Sequence, residues 1–268
     1  MDFFLNDILE DAEVRSLMLR DQAQYPQAAE LAQAIRQGER PKLTPGMLPL
    51  HVLAHLAPAA LQINAERGIP RSVTVATLRD VNVWIANHRF LYGTPGVMEF
   101  GWLLLHYTGD LFRLGRLQFR MEKTSHGAPG EYGIETHIPQ GEPLREADCL
   151  ASFEEAVRFF EAHFPQYAPE CFLCHSWLLN PHLAEILRED SNIVRFMRLW
   201  TPLHTDPDDS AQAMERTFGF GFRREQLPEA PETTTLQRAM KRYLLSGGSL
   251  DAAAGYRCIT KTQKDDKR

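Results

Sequence analysis

The sequence predicts an α/β protein of the α+β kind, with a helical N-terminal domain followed by a mixed sheet flanked by helices. Three observations carry this. Through the first hundred residues apolar side chains recur at helical spacing, as Val75, Leu78, Val81 and Ile85 do. After Gly109 the period drops to two: Leu117, Phe119 and Met121 alternate with Gln118, Arg120 and Glu122. Beyond that, an amphipathic helical segment stands between an alternating strand pattern at Tyr132–Ile138 and a short apolar run at Phe172–Leu178, which is the pattern of parallel strands joined by a right-handed crossover.

The elements follow in order. A first helix is expected over Asp7–Gln24, and a second from Pro26 to about Gly38 with Ala28, Leu31, Ala32 and Ile35 as its stripe. Breakers between Arg40 and Gly46 make a loop. Leu48–Glu66 is helical, with Pro58 expected to kink or split it. A helix capped by Ser72 runs to about Leu91, and Pro95 opens another through His106. Strands are expected near 111–122, 132–138, 171–178 and 196–203, the first two antiparallel. Ser152 and Glu155 have capping-box spacing, so a helix is expected to open there, with Phe153, Ala156, Val157, Phe160 and Phe164 inward. Asn180-Pro181 starts a short helix, Asp208 or Asp209 caps one ending at Gly219, and Thr233–Ser246 is amphipathic and closed by Gly247-Gly248. The nine residues from Thr260 carry six charges and no apolar side chain, the composition of a disordered tail. The domains expected are 1–108, 109–259 and the tail 260–268.

Composition narrows the function. The 268 residues are 44% hydrophobic and 24% charged with a net charge of -6, which suits a globular protein and argues against nucleic acid as a partner. The longest apolar run, Trp102–Leu105, is too short for a membrane span. Acids in the first seven residues occupy the place of a basic n-region, so a cytoplasmic location is expected. Cys171–His175 spells Cys-x-x-Cys-His, the haem-attachment pattern, but it lies in a buried apolar run. No second Cys/His pair stands at zinc-ligand spacing, so no metal is expected.

Glu135 and His137 are the strongest candidates for chemistry. Two residues apart on one strand, they share a face, and a carboxylate beside an imidazole is a plausible proton-transfer pair; a solvated strand face or a structural ion pair gives the same pattern. Cys174 and Ser176 share a face of the other strand by the same alternation, and the four could converge at the open end of the sheet as catalytic and substrate-binding groups. A buried small hydrophobe, for Cys174, and a backbone-bonded hydroxyl, for Ser176, are the structural alternatives.

The run Ile134–Leu144, with Cys149 and Ser152, resembles the C-terminal half of a bacterial group of GNAT-like acyltransferases that carry a helical N-terminal domain. So do Phe159–Pro165, Cys174–Pro181, Ser191–Phe196 and Thr233–Arg238 with Gly247-Gly248. The resemblance spans roughly residues 1–258. It implies transfer of an acyl group from acyl-CoA to an amine on a small molecule or peptide, with Glu135 and His137 as the base system. It also implies cofactor contacts from the loop that holds Gln140, Gly141 and Arg145. That loop, residues 140–151, has one glycine and three acids, Glu142, Glu146 and Asp148, which are unfavourable beside a pyrophosphate. A GNAT-shaped scaffold that binds without turnover is therefore the alternative, and a thiol hydrolase built on Cys174 and His137 is a third class.

Overall fold

The computed structural model describes residues 1–260, which fall into two compact units: Met1–Leu114 with Pro139–Gly141, and Gly115–Ile138 with the chain from Glu142 onward. The tail expected beyond Thr260 lies outside the described residues. Among the described residues no helix is long and apolar enough to cross a membrane.

The first unit is helical, as its periodicity predicts, but its breaks fall elsewhere. The helix expected over Asp7–Gln24 is a π-helical turn at Phe4–Ile8 followed by α1, Ala12–Asp21. The chain breaks because Asp11 caps α1, its carboxylate accepting from the N–H groups of Glu13 and Val14. After α2 (Ala28–Arg36), α3 runs from Met47 to Glu66 without the expected split at Pro58. Its two halves bury a common apolar face, Leu50, Leu53 and Ala54 before the proline and Ala60 after it, which holds them in line. The single helix expected from Ser72 to Leu91 is two, α4 (Arg71–Leu78) and α5 (Val81–Tyr92), and α6 begins at Phe100 rather than Pro95 and ends at Tyr107. The break before α5 places Asp80 in the core, 7% exposed. Its Oδ2 accepts from the indole N–H of Trp84 at 2.9 Å and of Trp102 at 3.3 Å, and lies 3.4 Å from His106 Nε2. β1, Leu111–Leu114, follows; the strand expected over 111–122 is interrupted after it by Gly115 at φ 61°, where a Cβ would come within 2.7 Å of Ser152 Oγ.

The second unit holds β2 (Leu117–Lys123), β3 (Tyr132–His137), β4 (Cys171–Ser176), β5 (Thr201–Asp206) and β6 (Ala252–Cys258), in the spatial order β2-β3-β4-β6-β5. β2 pairs antiparallel to β3, and β3 pairs parallel to β4 through α7 (Glu146–His163), as the sequence predicts. β5 starts later than expected, because residues 192–197 form α9, capped by Ser191. β6 is the unexpected strand. It lies between β4 and β5, antiparallel to both. α8 (Leu183–Ile186), α10 (Ala211–Phe218) and α11 (Thr235–Leu245) complete the unit, the last with Thr234 and Gln237 as a true capping box.

α7 corrects the expected helix start. It opens at Glu146, so Ser152 is an interior residue, 1% exposed. Its hydroxyl donates to the Asp148 carbonyl and accepts the N–H of Arg116, both at 2.8 Å. The capping-box spacing is satisfied by tertiary contact instead of by a helix end. α7 covers one face of the sheet: Phe153 stands 4.7 Å from Phe172 and 6.0 Å from Phe119, ring centre to ring centre.

Candidate active site

Strand register decides which side chains meet. Phe119 pairs with Thr136, Met121 with Ile134, and Ile134 with Phe172, which collects these residues on the α7 face. Arg120 pairs with Glu135, and Glu135 with Leu173, so Arg120, Glu135, His137 and, two residues beyond Leu173, His175 project from the opposite face. Glu135 and His137 therefore do share a face and they touch: His137 Nε2 lies 3.2 Å from Glu135 Oε2. Arg120 Nε is 3.0 Å from the same oxygen, and its guanidinium also contacts Glu122. Both members of the pair keep 24% side-chain exposure, enough to meet a ligand.

Burial pushes the Glu135 carboxyl upward, but the hydrogen bond from His137 and the positive charges of His137, Arg120 and His175 outweigh it and hold the group below its ordinary value. A carboxylate held ionised in this way is a weak proton acceptor and a strong orienting group.

Cys174 and Ser176 do not join them. Cys174 lies between Leu173 and His175 and faces α7 with Phe172, and Ser176 shares that side. Burial, and then the Glu135 charge, push the Cys174 thiol far above the ordinary thiol range, and the Ser176 hydroxyl accepts the N–H of Leu178. The expected convergence fails because the β3–β4 register sets Glu135 opposite Leu173 instead of Cys174. A thiol nucleophile needs a depressed pKa, so the hydrolase reading loses its nucleophile. Burial likewise pushes Cys149 and Cys171 up to about 11. In the native protein a thiol reagent is expected to modify exposed Cys258 and spare Cys149, Cys171 and Cys174; mass spectrometry after brief alkylation checks this, and early labelling of Cys174 would contradict the assigned burial.

The loop residues separate as well. Gln140 and Gly141 belong to the first unit, where Gln140 Oε1 accepts from the Asn87 amide at 3.0 Å. Arg145 belongs to the second, at the N-terminus of α7. Glu146 and Asp148 lie in the first turn of α7 and complement the helix dipole there. The carbonyls of Glu142 and Pro143 accept from the Arg116 guanidinium at 2.6 and 3.2 Å. Two of the three acids thus have a structural use.

Sequence reasoning passed over a second polar group on the same face. His175 Nε2 lies 3.0 Å from Asp206 Oδ2, and His204 Nε2 lies 3.2 Å from the same oxygen. The His126 ring packs against that of His204 at a tilt of 43°, ring centres 4.2 Å apart. Alternation along Phe172–Ser176 would have set His175 on the Leu173 face, but Asp206 reaches it across β6, the strand that was not foreseen. Among the described residues no group of three or more His, Cys, Asp or Glu is arranged to hold a metal ion.

A helical unit followed by a mixed sheet with a parallel strand pair joined through a helix is the layout expected of a GNAT-like acyltransferase. Residues 4–109 match the N-acyltransferase N-terminal domain and residues 111–257 the GNAT-like C-terminal domain, and the chain belongs to this family of acyltransferases. It is similar to a solved acyltransferase in complex with decanoyl-CoA and teicoplanin, at 27% identity and a TM-score of 0.81 over 95% of this chain and 86% of that one. It is also similar to an acyltransferase in complex with CoA and 10C-teicoplanin, at 29% identity and a TM-score of 0.79 over 90% and 80% of the two chains. A third, in complex with decanoyl-CoA, shares 29% identity with a TM-score of 0.80 over 95% and 86%. No curated protein matches the chain.

Proposed function

We propose that the chain moves an acyl group from acyl-CoA to an amine of a small molecule or peptide, with His137 accepting the proton and Glu135 orienting it. The observation that carries this reading is the Glu135–His137 contact on the open face, anchored by Arg120. The likeness to acyltransferases bound to CoA and decanoyl-CoA supports the donor, and their teicoplanin supports an acceptor larger than a metabolite. In this reading the amine nitrogen attacks the thioester carbonyl and gives its proton to the imidazole. The C–S bond then breaks and the acyl group stays on nitrogen. Glu135 holds the ring in place and stabilises the imidazolium formed. Residues 1–108 form the helical domain and 109–259 the acyl-transferring one. Arg145, at the start of α7, is assigned to the donor's phosphates, and Gln140 and Gly141 are assigned as further contacts to the donor.

The scaffold reading draws on one observation, the acids in the first turn of α7, which compete with a phosphate for the helix N-terminus. Two measurements separate the readings. Decanoyl-CoA at a hundred times its Kd is expected to stabilise the native state by about 2.7 kcal/mol, read as a rise in Tm. Free thiol is expected to appear when decanoyl-CoA is mixed with a panel of primary amines that includes teicoplanin. A Tm rise without thiol release establishes the scaffold; neither signal removes the acyl-CoA reading altogether.

A further inference from the structure

The polar face carries two carboxylate–imidazole pairs, and their positions are related. The parallel ladder of β3 and β4 spans Gly133↔Cys171 to Glu135↔Leu173 and ends there, although β3 continues to His137 and β4 to Ser176. His137 and His175 each stand two residues past the last pair, on one face, one on each strand. Each ring turns its Nε2 to a carboxylate: His137 to Glu135 at 3.2 Å, and His175 to Asp206 at 3.0 Å. The second contact crosses β6, whose residues under it are Ala254, paired with both His175 and His204, and Ala252, paired with Asp206. Larger side chains there would hold the two strands' groups apart. Acyl transfer from a thioester moves two protons in opposite senses, one off the amine and one onto the departing thiolate, and a face with two imidazoles flanking the end of one ladder matches that need.

We infer that His175 is the general acid of the transfer, protonating the thiolate sulfur as the C–S bond breaks, with Asp206 as the residue that positions it. This rests on the acyl-transfer reading and assigns its second proton. The nitrogen–carbon bond forms, the carbon–sulfur bond breaks, His137 gains the amine's proton and His175 gives one to sulfur. Exchange with water resets both rings, so a neutral amine and the thioester give an amide and free CoA thiol with no net proton released. The charged and titratable groups facing His175 are Glu135 on β3, Arg120 beside it on β2, Asp206 and His204 on β5, and Tyr256 on β6. His126 reaches it only through His204.

The test is the pH profile of kcat with decanoyl-CoA and the best acceptor of the amine panel. His175 and Asp206 are half exposed, so His175→Gln and Asp206→Asn are expected to fold, which Tm and circular dichroism check. His175→Gln is expected to lower kcat about tenfold to a hundredfold, with KM for decanoyl-CoA unchanged, and to abolish the fall in rate on the alkaline side that deprotonation of the acid produces in the wild type. Asp206→Asn is expected to lower kcat by a smaller factor than His175→Gln, again with KM for decanoyl-CoA unchanged. Wild-type kcat in His175→Gln, or a retained alkaline limb, overturns the assignment. If His137→Ala is inactive while His175→Gln is fully active, only this inference fails; if the wild type transfers no acyl group, the inference and the reading beneath it fail together.

Discussion

His137→Ala lowers kcat by about a hundredfold or more while the protein stays folded, because a general base contributes on that order to the rate. The ring is partly exposed at the strand end, so its loss leaves a solvent-filled gap and not a core cavity. Glu135→Gln should cost turnover too: the amide keeps the size of the side chain, but it does not stabilise an imidazolium. Steady-state rates of the two single variants and the double variant check the pairing. If they act as one unit, the double variant is scarcely slower than His137→Ala. Independent, multiplying losses would show that the contact at 3.2 Å is structural and not functional. The same glutamate leaves a signature in stability. Its carboxyl titrates lower in the folded than in the unfolded state, so the folded state gains from it above the unfolded value of 4.5. That gain disappears as pH falls below 4.5 towards the folded value. Glu135→Gln should lack this part of the acid limb, measured as Tm from pH 7 down to pH 3.

Asp80→Ala costs the first unit about 3–5 kcal/mol, the usual result of removing one partner from a buried ionic and hydrogen-bonded set. The substitution takes the acceptor from Trp84 and Trp102 and the carboxylate from His106, whose side chain is fully buried. It also leaves a void in a packed interior. Asp80→Asn keeps an acceptor oxygen for the indoles and loses only the charge, so its loss should be smaller. Urea unfolding followed by circular dichroism ranks the two variants against the wild type. A loss below about 1 kcal/mol for Asp80→Ala would mean that the cluster is a tolerated burial of charge and holds little of the fold.

Asp80 also shows where local reading stops. From sequence it is a polar residue inside a helical stretch, and Ser72 to Leu91 reads as one helix. The chain breaks there because the carboxylate is taken up by donors from α5 and α6, one of them 22 residues away and another 26. Ser152 is the same case. Its spacing to Glu155 is that of a capping box, and what it binds is the backbone of Arg116, 36 residues earlier. β6 escaped detection for a different reason. Ala252-Ala-Ala-Gly-Tyr-Arg-Cys258 has little intrinsic strand preference. It is a strand because β4 and β5 both pair with it, and small side chains are what the site permits: a Cβ on Gly255 would lie 3.1 Å from the Thr201 carbonyl oxygen.

By itself the sequence determined what depends on neighbours along the chain: the helical first unit, the switch to strands after Gly109, the antiparallel β2–β3 pair, the crossover through α7, and the shared face of Glu135 and His137. Each follows from side-chain period, which is a property of one element at a time. The tertiary structure decided how those elements are phased against one another. Sliding β4 by one residue along β3 would bring Cys174 and Ser176 to the polar face and turn His175 away, without changing the alternation of either strand. The register that is adopted sets Glu135 beside Leu173 and brings Asp206 to His175 across β6. It is held by hydrogen bonds and by the packing of Phe119, Phe153 and Phe172 between residues far apart in the chain, which no local pattern encodes.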